Sequence, residues 1–390
     1  MGTRIGSIDI FRGICIFLML FGHIGIWWLS SSGLIIFEQY VLPLIKPIGK
    51  AAGFLFVSGS SLTLSYSKKF SDNFDSNRER KRVLRNTFYL RAFILFILAI
   101  SINLVLSLID SGAKIYDWWI LLTISICLFF SWPLMKLSKT KRIVIGIALL
   151  MFNLISQQIL IAIADLSPIP NFLLDFLFPS DTRQNPIISF FPFFLFGTVF
   201  GSFLVDIDFE KTTDTRKFLK KFSAPLLLVS GFTVIFAIFF QFPEFLSVNS
   251  FSWILYSLGL NTFILSLLIT IEKVSKINFN SKYNILFYFS YYSLTLYLLN
   301  YVFMLTSFIK LDFMQFIFLF SLVFTMLFLS MKFIYNNIKG LFSLKYVMSV
   351  LSEFLSLKFE EVFYKKHKSA FRDFIIKLKF NIYSNPPLEA

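Results

Sequence analysis

The chain opens with an apolar run at residues 4–29 that reads RIGSIDIFRGICIFLMLFGHIGIWWL. The run is long enough to cross about 30 Å of hydrocarbon as a helix. It nevertheless carries Asp9 and Arg12 near its start and His23 near its middle. Because ionisable side chains are costly inside a membrane, each of them is a candidate functional residue. This stretch therefore predicts a first transmembrane helix that also carries chemistry.

The spacing of the three polar residues puts them on one side of that helix. Arg12 and His23 are eleven residues apart, which is about three turns or about 16 Å along the axis. Asp9 precedes Arg12 by three residues, so the two side chains can pair. We predict an Asp9–Arg12 pair at the cytoplasmic edge and His23 deeper. Two plainer interpretations stay open, a structural ion pair and a histidine that only bonds a neighbouring helix.

The composition of the whole chain indicates a polytopic membrane protein. Of 390 residues, 56% are hydrophobic and 15% are charged, and the mean hydropathy is +0.74. The apolar runs are too long for the strands of a barrel. The net charge of +15 does not indicate nucleic-acid binding, because the Lys and Arg residues lie between the apolar runs. With two Cys and two His in total, we expect neither a disulfide nor a metal site.

Ten apolar runs predict an all-α polytopic membrane protein with about ten transmembrane helices. The runs cover roughly residues 8–29, 47–66, 87–109, 117–135, 143–164, 187–205, 223–242, 252–271, 285–308 and 313–334. With the amino terminus inside, 31 of the 37 Lys and Arg residues fall in inner segments and five in outer ones. This is the bias of the positive-inside rule, so both termini are predicted to be cytoplasmic.

The carboxyl-terminal part of the chain differs in character from the apolar runs. Residues 341–363 are amphipathic and suit a helix lying on the inner membrane surface. We therefore divide the chain into a transmembrane domain, residues 1–335, and a cytoplasmic, amphipathic and basic tail, residues 336–390.

Basic and polar residues at the cytoplasmic side could contact a phosphorylated ligand. The loop after the second run contains seven Lys and Arg residues, including Arg82 and Arg85, and Arg91 lies about one turn into the third run. Guanidinium groups match the geometry of phosphate, although membrane anchoring would explain the loop and snorkelling would explain Arg91. Ser60 and Ser61 either bond back to their own helix or line a cavity.

The first run also resembles a known family. Arg4, Asp9, Arg12 and Gly13 stand in the order that opens the first span of the heparan-alpha-glucosaminide N-acetyltransferase catalytic-domain family, a branch of the transmembrane acyltransferase superfamily. The separation of Arg12 and His23 is similar to that of an Arg and a His in the related acyltransferase-3 branch.

Later segments resemble the same family. These are FLFVSGSSL at residues 54–62, Arg91 at the start of the third run, FPFFLFGTVFG at residues 191–201 and SLTLYLLN at residues 293–300. In the last of them, Asn300 stands where related proteins often have His.

The resemblance implies a membrane enzyme that moves an acetyl group from acetyl-CoA to an amine or hydroxyl of a sugar or cell-envelope glycan. Its expected partners are a coenzyme A thioester, the glycan acceptor and the lipid bilayer, with no nucleic acid and no metal, and a homodimer is a further expectation. The catalytic candidates are His23 as base or acyl carrier, Arg12 as an anion contact and Asp9 as its partner. The candidates for contact with coenzyme A are Arg91, Arg85, Arg82, Ser60 and Ser61.

A different class of function fits some of the same residues. A transporter or flippase for a polar lipid or sugar could use His23 for proton coupling. Such proteins are commonly built from internal repeats with broken helices at matching positions. The sequence shows no clear repeat, which favours the enzyme.

Overall fold

Long apolar runs form helices in a membrane because each backbone N–H and C=O must be satisfied within its own segment. The computed structural model describes residues 5–70, 78–109, 112–164, 176–177, 184–209, 214–275 and 285–364. These residues form fifteen α-helices and no β-strand.

The bounds of the helices are α1 (Gly6–Trp28), α2 (Ser31–Ile36), α3 (Leu42–Gly49), α4 (Ala51–Phe70), α5 (Arg78–Ile109), α6 (Ile120–Met135), α7 (Lys139–Ala164), α8 (Ile187–Asp206), α9 (Thr215–Phe218), α10 (Ala224–Phe240), α11 (Phe251–Ser275), α12 (Ile285–Tyr291), α13 (Ser293–Met304), α14 (Phe313–Asn337) and α15 (Leu344–Tyr364). Short π-helical turns, Phe37–Val41 and Leu219–Ser223, join α2 to α3 and α9 to α10.

The helices confirm the predicted fold class. Each of the ten apolar runs coincides with one helix or with a consecutive pair. Within the described residues, seven helical stretches are long and apolar enough to cross a membrane. The chain is therefore an all-α, multi-pass integral membrane protein. The count of ten spans and the cytoplasmic position of both termini stay predictions.

Two of the predicted spans are interrupted. The second run covers the end of α3 and most of α4, which are separated by Lys50 in an extended conformation with ψ −179°. The ninth run covers α12 and α13, which are separated by Tyr292 with φ −97° and ψ 22°. Helices α3, α4, α12 and α13 all contact α1, so both interrupted spans pack against the first helix.

Helix α1 is enclosed by the rest of the bundle. Sixteen of its 23 residues are buried, and it contacts α3, α4, α11, α12, α13 and α14. It runs in the same direction as α12 and α13, since Arg12 bonds to Ser290 and Trp28 further on bonds to Thr306. That direction is the one expected for a first and a ninth span.

Helices α4 and α8 pack with their backbones in contact. A Cβ atom added at Gly197 of α8 would lie 2.1 Å from the Phe56 carbonyl oxygen of α4, and one at Gly59 would lie 2.1 Å from the Phe194 carbonyl oxygen. Small residues allow this close approach in membrane helices. The Gly-x-x-x-Gly pattern of α8, Gly197 and Gly201, therefore allows α4 and α8 to pack at backbone contact.

The tail helix α15 packs against α5. The guanidinium of Arg82 donates from Nε and Nη2 to the two carboxylate oxygens of Glu360, both at 2.6 Å, and the Ser356 hydroxyl donates to the Val83 carbonyl at 2.8 Å. Glu360 is fully buried. The predicted helix is thus present, with one side covered by α5, and its position on the inner membrane surface stays a prediction. Residues 365–390 of the predicted tail lie outside the described residues, and the division at residue 335 stays a prediction.

Candidate functional site

The start of α1 is fixed by a carboxylate from α11. Glu272 accepts hydrogen bonds from the backbone N–H groups of Gly6 at 3.0 Å and Ser7 at 2.7 Å, and from the Ser7 hydroxyl. A carboxylate is favourable here because the first N–H groups of a helix lack intrahelical partners and carry a partial positive charge. This contact sets the position of the start of α1, which carries Asp9 in its first turn and Arg12 in its second.

Asp9 and Arg12 form a buried cluster with two serines. Arg12 Nη1 lies 3.3 Å from Asp9 Oδ1 and 3.2 Å from Ser290 Oγ, and Nη2 donates to Ser61 Oγ at 2.6 Å. The Ser290 hydroxyl donates to Asp9 Oδ1 at 2.8 Å. Asp9 and Arg12 are 4% and 8% exposed. The cluster therefore joins α1, α4 and α12 and pairs two charges that would be costly to bury singly.

The expected ion pair is thus present, and Arg12 also bonds to Ser61, a predicted candidate contact of coenzyme A. Ser290 was not among the predicted site residues. Its only signal in the sequence is the unusual polarity of residues 290–300, in the middle of an otherwise apolar span. The same contacts would suit a cluster that binds a ligand and one that only holds three helices together. The roles of Asp9, Arg12 and Ser61 therefore stay predictions.

His23 lies further along α1 and contacts α13. Its Nδ1 is 2.7 Å from Nδ2 of Asn300, and its ring centroid is 5.5 Å from that of Trp27. His23 is half-buried and Asn300 is 1% exposed. The hydrogen bond engages one ring nitrogen and leaves Nε2 outside it. Asn300, which stands where related proteins often have His, is therefore the hydrogen-bond partner of the predicted catalytic His23.

Arg82 and Arg85 lie at an open pocket near the start of α5. The pocket has a volume of about 190 Å³ and is lined by four cationic side chains and one indole, namely Lys81, Arg82, Arg85, Lys136 and Trp132. The Lys136 ammonium lies 5.7 Å from the centre of the Trp132 ring. Arg85 is exposed, whereas Arg82 is held by Glu360. Lys81 belongs to the predicted basic loop, whereas Trp132 and Lys136 extend the predicted group, because the end of α6 meets the start of α5 only in the folded chain.

Two predicted contacts of coenzyme A lie elsewhere. Ser60 is fully buried between α4 and α8, where its hydroxyl reaches the carbonyls of Phe56 at 2.9 Å and Gly197 at 3.0 Å. This is the back-bonded alternative that the sequence left open. Arg91 donates from Nη2 to the Ser349 hydroxyl of α15. Neither residue is among those that line the basic pocket, and their contacts with coenzyme A stay predictions.

A comparison with protein families gives a match over most of this architecture. A family model described as heparan-alpha-glucosaminide N-acetyltransferase, catalytic, matches residues 4–242, which is more than half of the chain. The chain belongs to this family. The resemblance predicted from Asp9, Arg12 and Gly13 is confirmed, and the chain is a membrane acetyltransferase in general terms. No curated protein matches the chain.

The family match ends before several residues that complete the site. Glu272, Ser290 and Asn300 lie beyond residue 242, yet each contacts α1 within the matched range. The described residues contain no group of three His, Cys, Asp or Glu that could hold a metal ion. The candidate site consists of the polar side chains arranged along α1 and of the basic pocket at the start of α5.

Proposed function

We propose that this family member transfers an acetyl group from acetyl-CoA to an amine or hydroxyl of a sugar or cell-envelope glycan, with His23 as the base or the acyl carrier. Family membership supports acetyl transfer at a membrane. The observation that carries the site is the contact of the Asn300 amide with Nδ1 of His23 at 2.7 Å, which orients the ring and leaves Nε2 outside this contact. A positioned imidazole is the commonest general base in proteins.

In the direct route, His23 acts as a base. Nε2 takes the proton from the acceptor's N–H or O–H group as the acceptor's heteroatom attacks the thioester carbonyl. The carbon–sulfur bond breaks, the acetyl group stays on the acceptor, and the thiolate of coenzyme A takes the proton from the imidazolium. The histidine returns to its neutral state, so the step balances without a further reactant.

In the covalent route, His23 acts as a nucleophile. Nε2 attacks the thioester carbonyl, the carbon–sulfur bond breaks, and the coenzyme A thiolate leaves while the acetyl group stays on the ring. The acceptor then attacks the acetyl carbonyl, and the bond between that carbon and Nε2 breaks. The acceptor's proton passes through the imidazole to the coenzyme A thiolate, which restores the free histidine and gives the free thiol. Covalent catalysis of this kind splits one difficult step into two easier ones.

The position of Arg12 limits what it can do. It lies about 16 Å from His23 along the helix, whereas a group that stabilises an oxyanion must sit about 3 Å from it. We therefore assign Arg12 an anion contact with the donor and give it no part in stabilising the reacting carbonyl. Asp9, which bonds to the same guanidinium, orients it.

The basic pocket suits the phosphates of the donor. Lys81, Arg85 and Lys136 bring three positive charges to one depression, and cationic side chains bind phosphate by charge-assisted hydrogen bonds. If this side is cytoplasmic, as the loop charges predict, it faces the compartment that supplies acetyl-CoA. The extended pantetheine arm of the donor would then carry the thioester from the phosphates toward His23.

Several features of the protein's organisation belong to the same proposal. These are ten spans with both termini in the cytoplasm, a transferase domain at residues 1–335, a tail at residues 336–390, and assembly as a homodimer.

Transport of a polar lipid or sugar is the alternative function. The interruptions at Lys50 and Tyr292 are the feature that would favour it, because transporters use broken helices to bind substrates. They fall in the second and ninth runs, which are not corresponding positions of two halves. We therefore prefer the acyltransferase.

The test uses the purified full-length chain in detergent with acetyl-CoA labelled on the acetyl group and a panel of amino sugars and hydroxylated glycans. We expect labelled product from the wild type and about 10²–10⁴-fold less from His23→Ala. His367→Ala is the matched control, since the chain has two histidines, and it should retain wild-type activity. Labelled protein and free coenzyme A in the absence of acceptor would indicate the covalent route.

Two results would overturn parts of the proposal. A wild type that acetylates no member of the panel removes the transfer to glycans, and it leaves transport as the better account. Full activity of His23→Ala removes the histidine from the chemistry even if the transfer itself is observed.

A further inference from the structure

The side chain of Asn300 is placed to control which nitrogen of His23 carries the proton. The two residues are 277 positions apart in sequence and meet where α13 runs beside α1. Asn300 is 1% exposed, and its Oδ1 is a buried atom with no hydrogen-bond partner among the described residues. A buried amide with one end on a histidine and the other end unpaired invites a functional explanation.

The tautomer of His23 depends on which end of the amide faces it. A neutral imidazole has one N–H group and one acceptor nitrogen. With Nδ2 of Asn300 at 2.7 Å from Nδ1, the amide donates, so Nδ1 is unprotonated and the ring proton lies on Nε2. In that state Nε2 is a donor and can neither take a proton nor attack a carbonyl.

A half-turn of the Asn300 amide reverses this assignment. It places Oδ1 beside Nδ1, where the oxygen accepts a hydrogen bond from an Nδ1–H group. The proton then lies on Nδ1, and the lone pair of Nε2 becomes available. The turn pairs Oδ1, which is otherwise unpaired, and moves the NH₂ group of the amide to the unpaired position. Both orientations therefore make the same number of hydrogen bonds.

An amide has one advantage over a carboxylate at this depth. It offers a donor and an acceptor without a net charge, and a charge inside a membrane is costly. It can therefore hold either neutral tautomer of His23, and its oxygen continues to accept from Nδ1–H when the ring becomes protonated at Nε2.

We propose that Asn300 is a positioning residue that sets the reactive tautomer of His23 by accepting the Nδ1–H hydrogen bond through Oδ1. The inference rests on the proposed function, in which Nε2 is the reacting nitrogen. Asn300 does not touch the substrates in this account and acts through the ring.

The first test observes the tautomer directly and needs no activity. Full-length protein with His367→Gln is labelled with ¹⁵N-histidine, so that His23 gives the only histidine signals, and both ring nitrogens are observed by NMR in detergent. In the protein with Asn300 we expect a population of His23 that is protonated at Nδ1. This population should be lost in Asn300→Leu, which removes both ends of the amide. It should be retained in Asn300→Asp, which keeps an oxygen acceptor. A ring protonated only at Nε2, or a spectrum unchanged by Asn300→Leu, overturns the proposal.

The second test separates positioning from folding. We expect Asn300→Leu to lower kcat by about 10–100-fold, the range typical of residues that orient metal-bound histidines, with KM for acetyl-CoA unchanged. Asn300→Asp should restore most of kcat. If Asn300→Leu and Asn300→Asp lose activity equally, and the loss follows the amount of folded protein, Asn300 has a structural role and the inference is refuted. If the wild type is inactive, the proposed function fails while the NMR result still decides the tautomer.

Discussion

Replacing Gly197 by alanine would put a methyl group into the backbone contact between α4 and α8. The new Cβ would lie 2.1 Å from the Phe56 carbonyl oxygen and 2.9 Å from its carbonyl carbon. Both are backbone atoms, so they cannot rotate away as the end of a side chain could. The two helices must separate or tilt to accept the methyl group.

The expected cost follows from these contacts. Overpacking of a tight interface typically costs about 1–3 kcal/mol. Separation of the helices also lengthens the 3.0 Å hydrogen bond from the Ser60 hydroxyl to the Gly197 carbonyl, which is worth about 1 kcal/mol. Alanine regains at most about 1 kcal/mol through its higher helix propensity. We therefore expect the free energy of unfolding to fall by about 1–3 kcal/mol.

Gly231→Ala is the matched control for this change. Gly231 lies within α10, and a Cβ added there meets no atom within 4 Å. The same substitution in a helix should therefore be neutral or stabilise by up to about 1 kcal/mol. The measurement is thermal unfolding of the two variants and the wild type in one detergent, followed by loss of the monodisperse peak in size-exclusion chromatography. If Gly197→Ala unfolds at or above the temperature of Gly231→Ala, the close contact of α4 and α8 is refuted.

Two further predictions concern buried polar contacts. Glu360→Gln should lower the free energy of unfolding by about 1–3 kcal/mol, less than the loss of a fully buried pair, because the Arg82 side chain is 27% exposed. The control Lys358→Gln removes a more exposed ion pair of the same helix and should change the free energy of unfolding by no more than about 0.5 kcal/mol. Equal thermal stabilities of the two variants would contradict the docking of α15 on α5. Ser290→Ala should lower the free energy of unfolding by about 1.5–3 kcal/mol, because the Ser290 hydroxyl bonds to two charged groups. In the control Ser321→Ala, the replaced serine is exposed and bonded to its own helix, so this variant should unfold as the wild type does. Unchanged thermal stability of Ser290→Ala would show that the buried ion pair of α1 does not need this hydroxyl.

The helical pattern and the local pairs were predictable because they depend on short sequence distances. Asp9 and Arg12 are three residues apart, and their contact follows from the geometry of one helix. The ten apolar runs likewise follow from hydropathy, since a membrane leaves the backbone few alternatives to a helix. The interruption at Lys50 was not predicted, and Pro47 does not mark it, since α3 continues past this residue to Gly49.

The basic residues show where prediction from sequence reached its limit. Arg82, Arg85 and Arg91 were grouped because they lie close together in the chain. In the structure Arg82 is bound by Glu360, Arg91 contacts Ser349, and Arg85 is exposed. Nothing in the local pattern indicates these differences, because the partners come from a helix more than 250 residues away.

The sequence by itself determined the fold class, the family and the three ionisable residues of α1, because each depends on hydropathy, on motif or on the period of one helix. Only the tertiary structure decided the partners of those residues. It brings Ser290 to the Asp9–Arg12 pair and Asn300 to His23. The physical reason is that a membrane selects helices segment by segment, whereas the packing of one helix against another depends on surfaces that no single segment contains.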